Sequence, residues 1–228
     1  MTEFKGIKGF REASFLDWDG KIASVIFVGG CNFRCPFCQN YPLLSGETPD
    51  YPFHEIESFL EGNSDFIDGV VITGGEPTIY RDIVRLCSFM REKGLGIKMD
   101  TNGSSGFDFS LVDYVAMDIK APLSIYSRAS GVNVEAERIR TSIGRIMGLK
   151  DYEFRTTLVP GIVDEDGITR IGEEIRGARI WALQQFQNEH VLDRDFMGIK
   201  PYDKERIMGM KDIAESYARE VIVRGVKD

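Results

Sequence analysis

Apolar positions along the chain follow two alternating periods. Short aliphatic or β-branched runs at residues 22–28, 70–73, 97–100, 114–119, 153–159 and 179–186 read as strands. Between them the period lengthens to that of a helix. Residues 54–60 and 79–93 carry such patterns, the second stopped by Gly94. A longer helix is predicted from a cap at Asn133, with Ile139, Ile143, Ile146 and Met147 on its buried face. Asp164 is placed to cap a helix in which Ile168, Ile171 and Ile175 recur on one side. Residues 203–218 repeat Ile207, Met210, Ile213 and Tyr217 at helical spacing, and a short apolar piece at 221–223 follows. Strands alternating with helices predict an α/β fold, with parallel strands joined by crossover helices. Six such units are fewer than the eight of a closed barrel.

Length and composition narrow this picture. With 228 residues, 43% of them hydrophobic, and no linker or repeat, the chain reads as one domain over 1–228, its core near 20–190 and a terminal helix and strand near 203–224. A formal net charge of -8 argues against a general nucleic-acid surface. No segment approaches transmembrane length, and the stretch from Met1 to Gly6 lacks the apolar run of a signal peptide. The expectation is a cytoplasmic protein bound to neither nucleic acid nor membrane, and the cysteine spacing fits a reducing compartment.

The candidate chemistry lies in Cys31-Asn32-Phe33-Arg34-Cys35-Pro36-Phe37-Cys38. Three closely spaced thiolates suit a 4Fe-4S cluster, and three ligands in place of four leave one iron open. A zinc site would want a fourth Cys or His nearby, but the two histidines are His54 and His190. Cys87 shares a helix face with Ile83, Leu86 and Met90, which makes it a core residue. Downstream, Val70-Val71-Ile72-Thr73-Gly74-Gly75-Glu76-Pro77 is a strand that stops at paired glycines and a carboxylate. Gly74 and Gly75 allow close backbone approach, and Glu76 can accept from a cationic amine; alone, the same residues could simply make a turn. Lys98 and Asp100 are two apart on one strand and so share a face. Asp100 and Asn102 either meet a ligand or form an Asx turn before Gly103. Asp118 and Lys120 repeat the same-face spacing, as a buried pair or as ligand contacts. Arg155 suits a carboxylate or a peptide carbonyl.

Together these motifs resemble the radical S-adenosylmethionine (SAM) superfamily, whose members carry Cys-x3-Cys-x2-Cys with an aromatic before the last Cys and a Gly-Gly-Glu element on the next strand. The resemblance implies a partial (β/α)6 barrel with its chemistry at the C-terminal strand ends. It further implies that the amino and carboxylate groups of SAM chelate the open iron, with Phe37 near the adenine, Glu76 on the methionine ammonium and Asp100 on the ribose. One electron from the cluster would then split SAM to methionine and a 5'-deoxyadenosyl radical.

Longer segments, among them Ser14 to Ile22, Asp113 to Pro122, Leu158-Val159-Pro160-Gly161 and Trp181 to Phe186, are similar to the glycyl-radical-enzyme activases, above all those serving anaerobic ribonucleoside-triphosphate reductase. This implies a glycyl-radical enzyme as partner and a low-potential flavodoxin or ferredoxin as electron donor. Gln39-Asn40 stands where activases often place His after the third cysteine, and Gln187-Asn188 where Arg-Pro is usual. Two alternatives stay open: a small-molecule radical SAM synthase such as 7-carboxy-7-deazaguanine synthase, and a non-catalytic iron-sulfur or zinc module.

Overall fold

The structure, a computed structural model, describes residues 3–45 and 47–226. The chain divides into two compact units, each built from several segments. The first comprises the described residues of Met1–Asn32, Asn40–Thr101 and Phe107–Val115. Its elements are β1 (Ile7–Ser14), β2 (Ala23–Val28), α1 (Phe53–Gly62), β3 (Gly69–Gly74), α2 (Ile83–Glu92) and β4 (Gly96–Thr101). β1 runs antiparallel to β2, whereas β2, β3 and β4 are parallel neighbours with Ala23 beside Gly69 and Gly69 beside Gly96. Because β2 to β4 are buried on both faces, they read as continuous apolar runs: Val25, Ile26, Val70, Val71, Ile72, Ile97 and Met99 are all fully buried.

At the N-terminal ends of β3 and β4 the ring of Trp18 closes this unit. A Cβ on Gly69 would lie 2.9 Å from that ring and 2.6 Å from the Gly96 carbonyl oxygen, so Trp18 packs there only because Gly69 has no side chain. α1 covers the sheet with Ile56 and Leu60, and α2 with Ile83, Leu86, Cys87 and Met90.

The short strand β5 (Tyr114–Asp118) gives its first two residues to the first unit and its last three to the second. The second unit comprises Phe33–Gln39, Asn102–Gly106 and the described residues of Ala116–Asp228. It continues with α3 (Tyr126–Ser130), α4 (Ala136–Met147), β6 (Tyr152–Leu158), α5 (Glu165–Glu174), β7 (Ala178–Gln185), α6 (Lys204–Ala214) and β8 (Ala218–Arg224). β6, β7 and β8 are parallel neighbours in chain order. Trp181, fully buried on β7, donates its indole N–H to Thr156 Oγ1 at 3.0 Å. Arg224 on β8 reaches past β7 to form a two-pronged pair with the buried carboxylate of Glu153 on β6, both contacts 2.9 Å. Among the described residues no helix is long and apolar enough to cross a membrane.

The six predicted strands are β2 to β7, and the chain adds one at either end. β1 escaped the pattern because irregularities between Ile7 and Gly9 and between Arg11 and Ser14 break its two-residue alternation. The apolar piece at 221–223 is the centre of the longer β8. Asp164 caps α5 as expected, accepting from Gly167 N at 2.8 Å. The cap predicted at Asn133 is corrected: α4 begins behind Glu135, after Gly131 closes α3 in the left-handed region and Ser130 Oγ donates to the Val132 carbonyl. The helix predicted from residue 79 begins at Ile83, because Pro77–Ile79 forms a separate 3-10 turn and Tyr80 is extended.

Candidate active site

In the first unit two loops are locked together. After β2 the chain passes through Gly29 and Gly30 to Cys31; after β3 it passes through Gly74 and Gly75 to Glu76. Gly75 N donates to Val28 O and Glu76 N to Gly30 O, each at 2.8 Å, while Asn40 Nδ2 donates to Gly74 O at 3.0 Å. A Cβ on Gly75 would fall 1.8 Å from the Gly30 oxygen. Gly74, at φ 111°, leaves 2.6 Å between such a Cβ and Val28 O. Close backbone approach is thus what the paired glycines supply, although here they receive the root of the cysteine loop.

Glu76 is 1% exposed. Its Oε1 accepts from Thr101 Oγ1 at 2.6 Å, from Thr78 N at 3.1 Å and from the Thr78 hydroxyl, so the side chain caps the 3-10 turn. Lys98, buried on β4, donates to the Asp17 carbonyl and lies 5.3 Å from the centre of the Tyr114 ring, in the same neighbourhood as Trp18. Asp100 is half-buried two residues further along β4. Thr101, which no sequence pattern singles out, is joined by the structure to Glu76.

In the second unit the remaining cysteines sit on a segment held by backbone bonds. Arg34 N donates to Ser130 O at 2.7 Å, and a Cβ on Gly131 would lie 2.0 Å from Arg34 O. Cys38 N donates to Cys35 O at 3.0 Å, closing a turn. Leu192 N donates to Cys38 O at 3.0 Å and Asp193 N to Pro36 O at 2.9 Å, while the Phe37 and Phe196 rings lie 6.5 Å apart. Cys35 is buried; Cys31 in the first unit and Cys38 here are half-buried, and none of the four cysteines forms a disulfide.

Asp118, Lys120 and Arg155 come together in this unit. Asp118 accepts from Lys120 Nζ and from Arg155 Nε, both at 2.8 Å. Burial opposes the Asp118 charge, yet Arg155 and Lys120 outweigh it and hold the carboxyl at about 2. Burial likewise works against the Lys120 ammonium, and the Asp118 charge, with Cys35 adding to it, drives its pKa above that of an ordinary lysine. Tyr126, which the sequence did not single out, is buried beside them; its hydroxyl donates to Asp118 O and accepts from Lys120 N, each at 3.4 Å. Its i, i+6 and i, i+8 spacings follow no single helix or strand period, so no periodic signal marks it. Asn102 accepts from Ser104 N at 2.9 Å, the Asx turn that was one of its two readings, ahead of Gly103 at φ 70°.

A family model described as the radical SAM superfamily matches residues 25–169. This chain belongs to the radical SAM superfamily. Among curated proteins it is 30% identical to a Methanocaldococcus jannaschii protein named as a candidate glycyl-radical enzyme activating enzyme, the match covering 96% of each chain. It is 26% identical to the pyruvate formate-lyase-activating enzyme of Streptococcus mutans, over 81% of this chain and 76% of that one. The solved structure of Streptococcus suis SuiB bound to S-adenosylmethionine superposes with a TM-score of 0.64 at 15% identity, over 86% of this chain. The chain spans about half the length of that neighbour, 48%. The α/β partial (β/α)6 barrel expected from the sequence is the fold of this radical SAM chain.

Membership implies a 4Fe-4S cluster and SAM. The donor set fits: three thiols on one short loop, outside any disulfide, where Glu76 N bonds the carbonyl before Cys31 and Gly131 leaves room for the carbonyl before Cys35. Among the described residues no three His, Cys, Asp or Glu side chains converge on a point that could hold a single metal ion. A cluster asks for something else, because each thiolate binds its own iron.

Proposed function

We propose that this radical SAM enzyme is a glycyl-radical-enzyme activase and that its partner is anaerobic ribonucleoside-triphosphate reductase. The observation that carries the activase reading is the match along nearly the whole chain to a relative named for that activity. The choice of reductase rests on the longer sequence segments from Ser14 to Phe186.

In this reading Cys31, Cys35 and Cys38 hold a single 4Fe-4S cluster. When bound, the cluster supplies the electron that cleaves SAM to methionine and a 5'-deoxyadenosyl radical, which removes a hydrogen atom from the partner's glycine. Glu76, buried and carrying neutral donors on Oε1, accepts the methionine ammonium. Asp100 accepts from the ribose, Phe37 lies along the adenine, and Gly74 and Gly75 admit the ligand closely. Lys120 and Arg155, already oriented by Asp118, present cations to a carboxylate or a peptide carbonyl. Asn102 completes the proposed cofactor-binding set from the turn beyond β4; Lys98, also expected in that set, instead donates to Asp17 O beside Trp18, at the other end of the strands. A glycine is the suitable substrate because, without a side chain, it can lie planar and approach closely, and its radical is delocalised over the flanking amides. The electron donor in this scheme is a low-potential flavodoxin or ferredoxin, and the reaction takes place in the cytoplasm.

The test is anaerobic reconstitution followed by reduction with SAM and the reductase from the same cells. A glycyl radical signal on the reductase by electron paramagnetic resonance, with one 5'-deoxyadenosine per radical, is expected. Formation of 5'-deoxyadenosine only with a pterin-like heterocycle would instead make the chain a small-molecule synthase. No 5'-deoxyadenosine under any of these conditions would reduce it to a passive metal module.

A further inference from the structure

We propose that Thr101 is a positioning residue, whose hydroxyl fixes the Glu76 carboxylate in the orientation that receives a primary ammonium. The inference rests on Glu76 being the acceptor of the SAM ammonium. Thr101 is the last residue of β4, and Glu76 follows the end of β3 by two. Strand alternation turns Thr101 to the face opposite Asp100, so it takes no part in the polar row formed by Lys98 and Asp100. It is 3% exposed, Glu76 is 1% exposed, and the 2.6 Å bond between them is buried throughout.

Burying a carboxylate is costly unless hydrogen bonds replace its lost water. Thr101 Oγ1, Thr78 N and the Thr78 hydroxyl all donate to the same oxygen, Oε1. An oxygen with about two lone-pair sites is filled by such a set, which fixes the plane of the carboxylate. Thr78 belongs to the turn that Glu76 itself caps, so those two bonds move with Glu76. Thr101 alone among the three comes from a different strand. It therefore ties the carboxylate to the sheet, where the other two tie it to its own loop. All three of these donors are neutral, so none of them cancels the carboxylate charge.

The experiment is calorimetric titration of SAM into anaerobically reconstituted protein with no reductant, so that binding is read without turnover. Thr101→Val keeps the shape and removes the hydroxyl; SAM is expected to bind about tenfold more weakly, the loss of one charge-assisted hydrogen bond. Thr101→Ser restores the donor and is expected to return affinity to within about twofold of the native protein. In a Glu76→Gln background, itself weaker than native, Thr101→Val should change affinity by less than about twofold, because a residue acting through Glu76 has nothing left to position. A merely structural Thr101 would weaken both backgrounds alike, and that additivity overturns the proposal. So does native affinity in Thr101→Val beside a weakened Glu76→Gln. If Glu76→Gln itself binds SAM as the native protein does, the reading of Glu76 fails and this inference falls with it.

Discussion

The two units hold their portions of the cysteine loop by the same device, built from different backbone. In the first, Gly75 lets Glu76 N reach the carbonyl of Gly30, the residue before Cys31. In the second, Gly131 leaves room for the carbonyl of Arg34, the residue before Cys35, while Arg34 N bonds to Ser130. Gly75 is needed for contact alone. Gly131, at φ 69°, is needed both for contact and for a left-handed backbone at the end of α3. The charges differ more. Glu76 is held on Oε1 by neutral donors, whereas Asp118 is met by two cations. Contact and neutral hydrogen bonds respond to added volume, and ion pairs respond to pH and salt.

Substitutions can break this comparison, beginning with the largest effect. Gly131→Ala meets a clash and a strained φ together and should cost about 4 kcal/mol of stability, read by chemical denaturation. Gly75→Ala meets only the clash and should cost about 3 kcal/mol. Equal losses, or a larger one at Gly75, would show that the left-handed backbone contributes little.

Asp118→Asn comes next. Its side chain is 24% exposed, so the loss is discounted from that of a sealed pair to about 2 kcal/mol near neutral pH. Because folding depresses this carboxyl from 3.8 to about 2, its contribution is complete above about pH 4 and disappears as the pH falls through 2. The deficit of the variant should therefore shrink across that window in denaturation curves taken at successive pH values. A deficit independent of pH there would assign Asp118 a packing role.

The smallest effect belongs to Cys87→Ala, about 1 kcal/mol, with iron content unchanged after reconstitution. Burial pushes the Cys87 thiol up to about 11, so in the folded protein it should resist alkylation near pH 8. Loss of iron in this variant would make Cys87 a ligand.

The strands β2 to β7, the cap at Asp164, the core face of α2 and the two motifs could all be read from the sequence, because each depends on residues close together in the chain. Apolar periodicity survives folding wherever a strand or helix buries one continuous face. β1 was not legible, because its bulges disrupt the period and its partner, not its own pattern, makes it a strand. The start of α4 was not legible either, since Asn133 is the better cap by residue type, yet the helix begins behind Glu135, whose side chain makes no capping bond.

At the site the sequence supplied residue types and left their partners open. It named Glu76 and Asp100 but could not pair Glu76 with Thr101, 25 positions away. It allowed Asp118 and Lys120 to be a pair or ligand contacts, and tertiary structure joined them to Arg155 and set Tyr126 beside them. It offered an Asx turn at Asn102 as one of two readings, and that turn is present. Local chemistry and periodicity are written into neighbouring residues; hydrogen-bond partners, close glycine approaches and burial are set only when distant segments are brought within a few ångströms.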